Sequence, residues 1–463
     1  MKTLIRKNSA FTLIEVMVSS ALIVVIMGFL MYTMDQTQRT MRGADSRVGQ
    51  FQTARIAFEA MTRNLSQATV NTYWDLDFKF ENGKVQPSGY RRNSDLHFVS
   101  GPAASQKILN STEIIDPTHA VFFQAPLGVS YQDDHTEITS SGYVPVDDNV
   151  DPSKADDPSA TPKRKYRFLN GLMNVCGYYI HWGPDPRVPT FLKQDLASDK
   201  LNRRYRYRLT EVTQPTETVT IFNNPWYTRH KITDPKTKVE KTFNASPNDG
   251  ARSRIYENAT DWIKVAIGKL QPTLGPTVNY SRPLADNIVA MIVLPKLPES
   301  DRKGGDRERL DDLTTNYEYD SRPQSVYNAS FEDANPSFRK GTAQIENLLS
   351  NQDPNRELTQ YAQLPPILQV TLVAIDEDSG AKLESSLDTP ENGPPIHWAN
   401  GLFKTISKVS DFTDDLGDPA DPGTDSLLGR LAGRDRSLRL PKMNYRIFTT
   451  DVVMRAAKWS NPN

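Results

Sequence analysis

The chain has almost no cysteine. Cys176 is the only one in 463 residues, so an intramolecular disulfide is impossible and no thiolate cluster can form within one chain. Its apolar setting, "NVCGYYIHW", predicts a buried strand thiol; an intermolecular bridge and a nucleophile are the other readings. Net charge is also missing. With 55 basic and 56 acidic residues there is no global field to draw in nucleic acid or an anionic surface, and nucleic acid is not an expected partner. No H-E-x-x-H, G-x-S-x-G or phosphate-cradling Gly-Lys loop occurs, and His97, His119, His135, His181, His230 and His397 are scattered singly. Neither an enzyme nor a zinc site gains support from these residues, and the expectation is a non-enzyme without a cofactor. No period of 20–50 residues is present, which disfavours a solenoid or propeller.

What the sequence does have is one long apolar run. From Phe11 to Met34 the only ionised residue is Glu15, and the run of about 24 residues exceeds the roughly 20 that span a bilayer as a helix. Lys2, Arg6 and Lys7 precede it with no acid among the first fourteen residues, so the positive-inside rule keeps the N-terminus cytoplasmic and sends the rest of the chain outward. A secretory signal would be shorter and end in a small-residue cleavage site. None follows this run, so a lasting single-pass anchor is expected.

An acid at the centre of a spanning helix costs roughly 2.5–3.5 kcal/mol on insertion scales, less near the end where Glu15 sits. A leader ending in a small residue, then Phe-Thr-Leu-Ile-Glu and a long apolar helix, resembles the type IV prepilin signal of pilins and type II secretion pseudopilins. The resemblance implies a leader over 1–10, cleavage between Ala10 and Phe11 by a prepilin peptidase on the cytoplasmic side, and methylation of the new Phe11 amine. Alanine at position 10 departs from the usual glycine. It further implies that Glu15 meets the N-terminal ammonium of a neighbouring subunit, a pairing of opposite charges favoured in low dielectric. Other pilin or pseudopilin subunits and inner-membrane lipid are the partners it implies.

Beyond Met34 the period stays helical, with Met41, Val48, Phe51, Ala54, Phe58, Met61, Leu65 and Ala68 on one face and Arg39, Arg42, Arg47, Arg55, Glu59 and Arg63 opposite. This predicts an amphipathic helix over 35–70 continuing the membrane segment of 11–34. Gly43 and Gly49 each weaken it by about 1 kcal/mol relative to alanine, making a kink there plausible on propensity. After Val70, strands are predicted around Leu96, Ala120, Cys176, Arg203, Asn287, Pro365 and Asn444. Proline-, aspartate- and glycine-rich loops are predicted over 132–162, 299–360 and 384–426. The predicted fold class is therefore α+β: a helical stem packed on a large antiparallel β-rich head over 71–463.

"ARIAFEAMTRNLSQA" at 54–68, "PLADNIVAMIVLP" with the later "LPPILQVTLVAIDEDSG", and the terminal "FTTDVVMR" resemble the large J-type minor pseudopilins. Through "VFFQAPLG" and "NVCGYYIHWG", most of the chain resembles the prepilin-like proteins called Verru_Chthon cassette protein C. These resemblances imply a minor subunit of a type IV pilus or a type II secretion pseudopilus, in the bacterial inner membrane with a periplasmic head. A membrane-anchored enzyme or receptor using a pilin-like anchor is the alternative.

Two smaller features remain. "DFTDDLGDPADPGTD" could offer calcium oxygen ligands from Asp414, Asp415, Asp418 and Asp421, although the spacing is not that of an EF-hand and a solvated loop is the plainer reading. "KRKYRF" and "RRYRYR" interleave cations with aromatics as single-strand binders do. Alternation places Arg204, Arg206 and Arg208 on one face of the second run and Tyr205 and Tyr207 on the other, which predicts a half-exposed strand.

Overall fold

The computed structural model describes residues 13–81, 84–103, 118–130, 136–139, 142–145, 171–185, 204–221, 230–233, 240–243, 260–270, 277–298, 313–314, 316–322, 360–386, 401–435 and 441–457. The leader, Ala10, Phe11 and the 163–168 run lie outside them. The chain divides into two compact units, Met1–Gln52 and Thr53–Asn463.

Helix α1 (Leu13–Leu65) runs as one element through Gly43 and Gly49, so the glycines do not interrupt it. In the first unit its Leu13–Gln38 stretch is long and apolar enough to cross a membrane, and none of it is buried against protein. Its serine and threonine hydroxyls are spent on the helix itself. The hydroxyls of Ser19, Ser20 and Thr33 donate to the carbonyls of Val16, Met17 and Leu30, at 3.0, 2.9 and 3.0 Å. Hydroxyls bonded back to the preceding turn present little to a lipid environment.

In the second unit α1 ends as an amphipathic helix whose Ala54, Ala57, Phe58, Met61 and Leu65 are buried. Next comes a hairpin, β1 (Tyr73–Glu81) with β2 (Lys84–Asn93), which forms a two-stranded sheet of its own. The central sheet contains β3 (Val99–Pro102), β4 (His119–Ala125), β7 (Asn174–Pro184), β8 (Tyr205–Gln214), β11 (Ser281–Asp286) and β13 (Tyr319–Asp320). They pair antiparallel in the order β11-β8-β7-β4-β3-β13. A second antiparallel sheet, in the order β12-β14-β15, is built from β12 (Ile288–Lys296), β14 (Ile367–Ile375) and β15 (Tyr445–Val453). Hairpins β5–β6 (Thr136–Thr139, Gly142–Pro145) and β9–β10 (His230–Thr233, Glu240–Phe243) complete the strands among the described residues.

The central sheet is covered on both faces, which is why β4, β7 and β8 read as nearly unbroken buried runs. Helix α2 (Asp261–Ala266) packs Trp262 and Ile263 with Phe122, Val175 and Val212 on one side. On the other side β12 crosses β4, β7 and β8, and the last turn of α1 reaches Tyr178. Asn287 makes the step from β11 in one sheet to β12 in the other. It sits at φ 60°, which asparagine tolerates better than a branched residue, donates its N–H to Tyr207 O and accepts from Ile375 N.

Three helices follow from local capping chemistry. Asp376 accepts from Ser379 N at the start of α3 (Glu377–Ser385), and Ser426 accepts from Gly429 N at the start of α5 (Leu427–Leu431). Asp411 accepts from the N–H groups of Ser407 and Lys408 in the first turn of α4 (Val409–Leu416), bonds that hold its carboxyl below the usual range. The predicted loop over 384–426 is therefore corrected: it contains the end of α3 and all of α4. The predicted loop over 132–162 likewise contains the β5–β6 hairpin.

The half-exposed reading of β8 is also corrected. Tyr205, Arg206, Tyr207 and Arg208 are all buried, because carboxylates distant in sequence fold onto the arginine face.

Candidate functional site

Of the predicted processing and assembly residues, Ala10, Phe11 and Glu15, only Glu15 is among the described ones. Glu15 lies in the first turn of α1, on an exposed helix surface. An acid there is favoured by the helix dipole by about 0.3–1 kcal/mol, which is smaller than the roughly 2.5–3.5 kcal/mol of placing a charge at mid-bilayer. Around it Leu13, Ile14, Val16, Met17 and Val18 are exposed, as are the large apolar residues onward to Met34. A soluble helix would hide such a surface. Its length and apolarity are those of a membrane-spanning helix.

At its other end α1 is locked to the central sheet through one buried carboxylate. Glu211 on β8 accepts from Tyr178 Oη at 2.8 Å, from Asn64 Nδ2 at 3.4 Å and from Arg282 Nε at 2.7 Å. Asn64 also donates to Tyr178 Oη at 2.8 Å. One acid thus joins the helix to β7, β8 and β11. Phe58 packs on Phe448 of β15 with ring centroids 6.0 Å apart, so the same helix also touches the second sheet.

The arginine face of β8 is consumed within the fold. Arg206 donates to Glu377 at 2.9 Å and pairs with Glu384, both on α3; Glu377 also pairs with Arg204, and Arg208 donates to Asp286 at 2.9 Å. Burial opposes the charge on Glu377, but bonds from Arg206, Asn287 and Arg204 outweigh it and hold its carboxyl below the usual range. Arg206 and Arg208 are therefore not available to a phosphate backbone. Gly380 makes the cluster possible, since a Cβ there would fall 2.4 Å from Asn287 Oδ1.

The four carboxylates considered for calcium do not gather. Asp415 accepts from Phe403 N at 2.7 Å, Asp418 accepts from Ala420 N at 2.8 Å, Asp421 pairs with Arg434, and Asp414 stands on α4. Among the described residues no three His, Cys, Asp or Glu side chains form a metal-holding group. Cys176 is fully buried and desolvation pushes its thiol up to about 12, as suits a core residue and not a nucleophile.

Two histidines are core residues. His97 accepts from Trp262 Nε1 at 3.0 Å, which leaves its Nε2 to donate to Asp320 at 2.6 Å. His119 takes the N–H of Val293 on Nδ1 at 3.0 Å, and its ring sits against Tyr317 and Phe403. Neither was distinguishable from a surface histidine by its sequence neighbours.

The family described as "Prokaryotic N-terminal methylation motif" matches residues 5–31. That span contains Ala10, Phe11 and Glu15 and most of the membrane-length stretch. No curated protein and no solved structure gives a significant match to the chain.

Proposed function

We propose, from the premise that the chain is type IV prepilin-like, that it is a minor pilin or pseudopilin subunit. In this reading a prepilin peptidase cleaves between Ala10 and Phe11 and methylates the Phe11 amine. The Leu13–Gln38 stretch stores the subunit in the inner membrane with its head on the periplasmic side, and it later packs among sister helices in a type IV pilus or type II secretion pseudopilus. The role is structural, with no reaction and no cofactor. The observation that supports it most is the coincidence of the methylation motif with an exposed helix of membrane-spanning length.

Glu15 supplies the assembly chemistry. A carboxylate in hydrocarbon is stabilised when an ammonium approaches, and the freed Phe11 amine of a neighbour would bring one to the same depth. The second unit, Thr53–Asn463, is large for a repeating lattice element, which favours a tip or accessory position. Label bound all along filaments would count against that placement.

Mass spectrometry of the mature N-terminus tests the reading directly. The expected result is a chain beginning at methylated Phe11. An intact Met1 would favour a membrane-anchored enzyme or receptor that uses this segment only as an anchor.

A further inference from the structure

We infer that residues 401–417 form an acid-releasable cover over the buried ring of His119, a conformational device independent of the assembly reading above. The segment is set apart by its own geometry. Gly401 and Gly417 bound it at φ 91° and 90°, backbone that residues with a Cβ rarely adopt. The bonds that shape it run within it: Asp415 accepts from Phe403 N at 2.7 Å, and Asp411 accepts from the N–H groups of Ser407 and Lys408 at 2.8 and 2.9 Å. Its buried side chains are Leu402, Phe403, Ile406 and Phe412, all apolar. A unit closed by its own bonds and attached through apolar anchors can open without unfolding the strands beneath it.

Phe403 is the anchor that meets the histidine. Its ring stands edge-on to His119 at 6.4 Å and to Tyr317 at 6.1 Å, and Tyr317 stands edge-on to His119 at 5.1 Å. Phe403 and Tyr317 both sit at positive φ, 53° and 60°, a conformation that is costly for a side-chain-bearing residue and is held here by the packed rings. Beneath them His119 is poorly placed to take a second proton. Nδ1 accepts the Val293 amide, so Nε2 carries the ring proton; it closes no hydrogen bond, and neither does the Tyr317 hydroxyl. Protonation would make Nδ1 a donor facing that amide. The Val293 carbonyl, also 3.0 Å from Nδ1, could accept the new proton only by leaving the amide without its acceptor.

The groups around the ring do not offset a charge on it. β3 carries no titratable side chain and β4 no other. β12 carries Lys296 at its end, paired with Asp451. β7 turns Cys176 and Tyr178 to the same face, and burial pushes both up, so they stay neutral. Beside Tyr317, Glu318 packs on Gly101, and Asp320 is bonded to His97. Asp411 and Asp415 of the cover are engaged in the backbone bonds above, while Lys404, Lys408 and Asp414 are exposed. Burial lowers His119 from 6.5 to about 4. An uncovered ring titrates at its ordinary value, so the open-to-closed ratio of the cover rises as pH falls from 6.5 to 4, by about twentyfold between pH 7 and 5.

Hydrogen exchange of the full-length protein in detergent reads this ratio, measured by mass spectrometry at pH 7 and 5 and corrected for the intrinsic pH dependence of exchange. The expected result is a roughly twentyfold drop in protection over 401–417 with β4 and β7 unchanged, and no drop in His119→Gln. Should that variant fail to fold, Phe412→Ala decides. It loosens the cover at α4 and leaves Phe403 on the ring, so opening increases at both pH values and the ratio between them is kept; a ratio near one overturns the inference. Three results with the other proteins also overturn it: equal protection at the two pH values, loss in β4 alongside the segment, or an equal drop in His119→Gln, which would assign the effect to Asp415.

Discussion

A histidine taken wholly out of water resists its proton, and that resistance makes stability depend on pH. Desolvation lowers His119 from 6.5 to about 4, against the opposing pull of backbone carbonyl partners. Between those values the unfolded chain binds a proton that the folded chain refuses. The contribution is thus complete above pH 6.5 and is lost as pH falls through 4, a total of about 3 kcal/mol at roughly 1.36 kcal/mol per pKa unit. His119→Gln removes this titration. Urea unfolding of both proteins from pH 7 to 4.5 is expected to show the stability gap narrowing as pH falls; a constant gap would mean that His119 is not held neutral. Nothing near position 119 announces this burial, whereas Cys176 was legible because both its residue type and its strand neighbours favour the core. Arg206 was misread for a different reason. Alternation of cations along one strand normally marks a wet face, and the acids that cover this one lie 171 and 178 residues away.

At the scale of elements, seven strands were visible in the sequence: β4, β7, β12 and β14 through continuous apolar runs that are largely buried, and β3, β8 and β15 through shorter or mixed strand-like segments. β11 was missed because its "SRPLAD" is polar and contains proline, as an edge strand can. The β1–β2 hairpin was missed although Asn82-Gly83 between alternating runs is a strong hairpin signal. α3 and α5 are short helices whose capping residues, Asp376 and Ser426, were masked by the surrounding loop-like composition. The pairing of β4 with β7 imposes its own constraint, independent of propensity. A Cβ on Gly177 would fall 2.1 Å from the ring of Phe122, so the two strands approach through a missing side chain. Gly177→Ala is expected to cost about 1–3 kcal/mol by overpacking. Phe122→Leu in the same chain should recover part of that loss, so the double variant is more stable than the two single costs predict. Strict additivity in chemical denaturation would show that the ring moves aside without cost.

For the whole molecule, the question is where the membrane part stops and the self-sufficient head begins. The predicted break after residue 70 follows the end of helical periodicity, yet the compact head starts at Thr53, inside α1. Burial explains the difference. Phe58, Met61 and Leu65 cover the head's sheets, and each fully buried side chain of this size contributes about 1.5–3 kcal/mol, together a large part of the roughly 5–15 kcal/mol by which domains are stable. A fragment of residues 53–463 keeps that cover and discards the exposed apolar stretch from Leu13 to Met34. It is expected to be soluble without detergent and to unfold cooperatively, while a fragment beginning at residue 66 exposes the sheets and aggregates. Sedimentation and thermal melts of the two fragments decide the matter. Equal behaviour would mean that the last turns of α1 only rest on the head and do not complete its core.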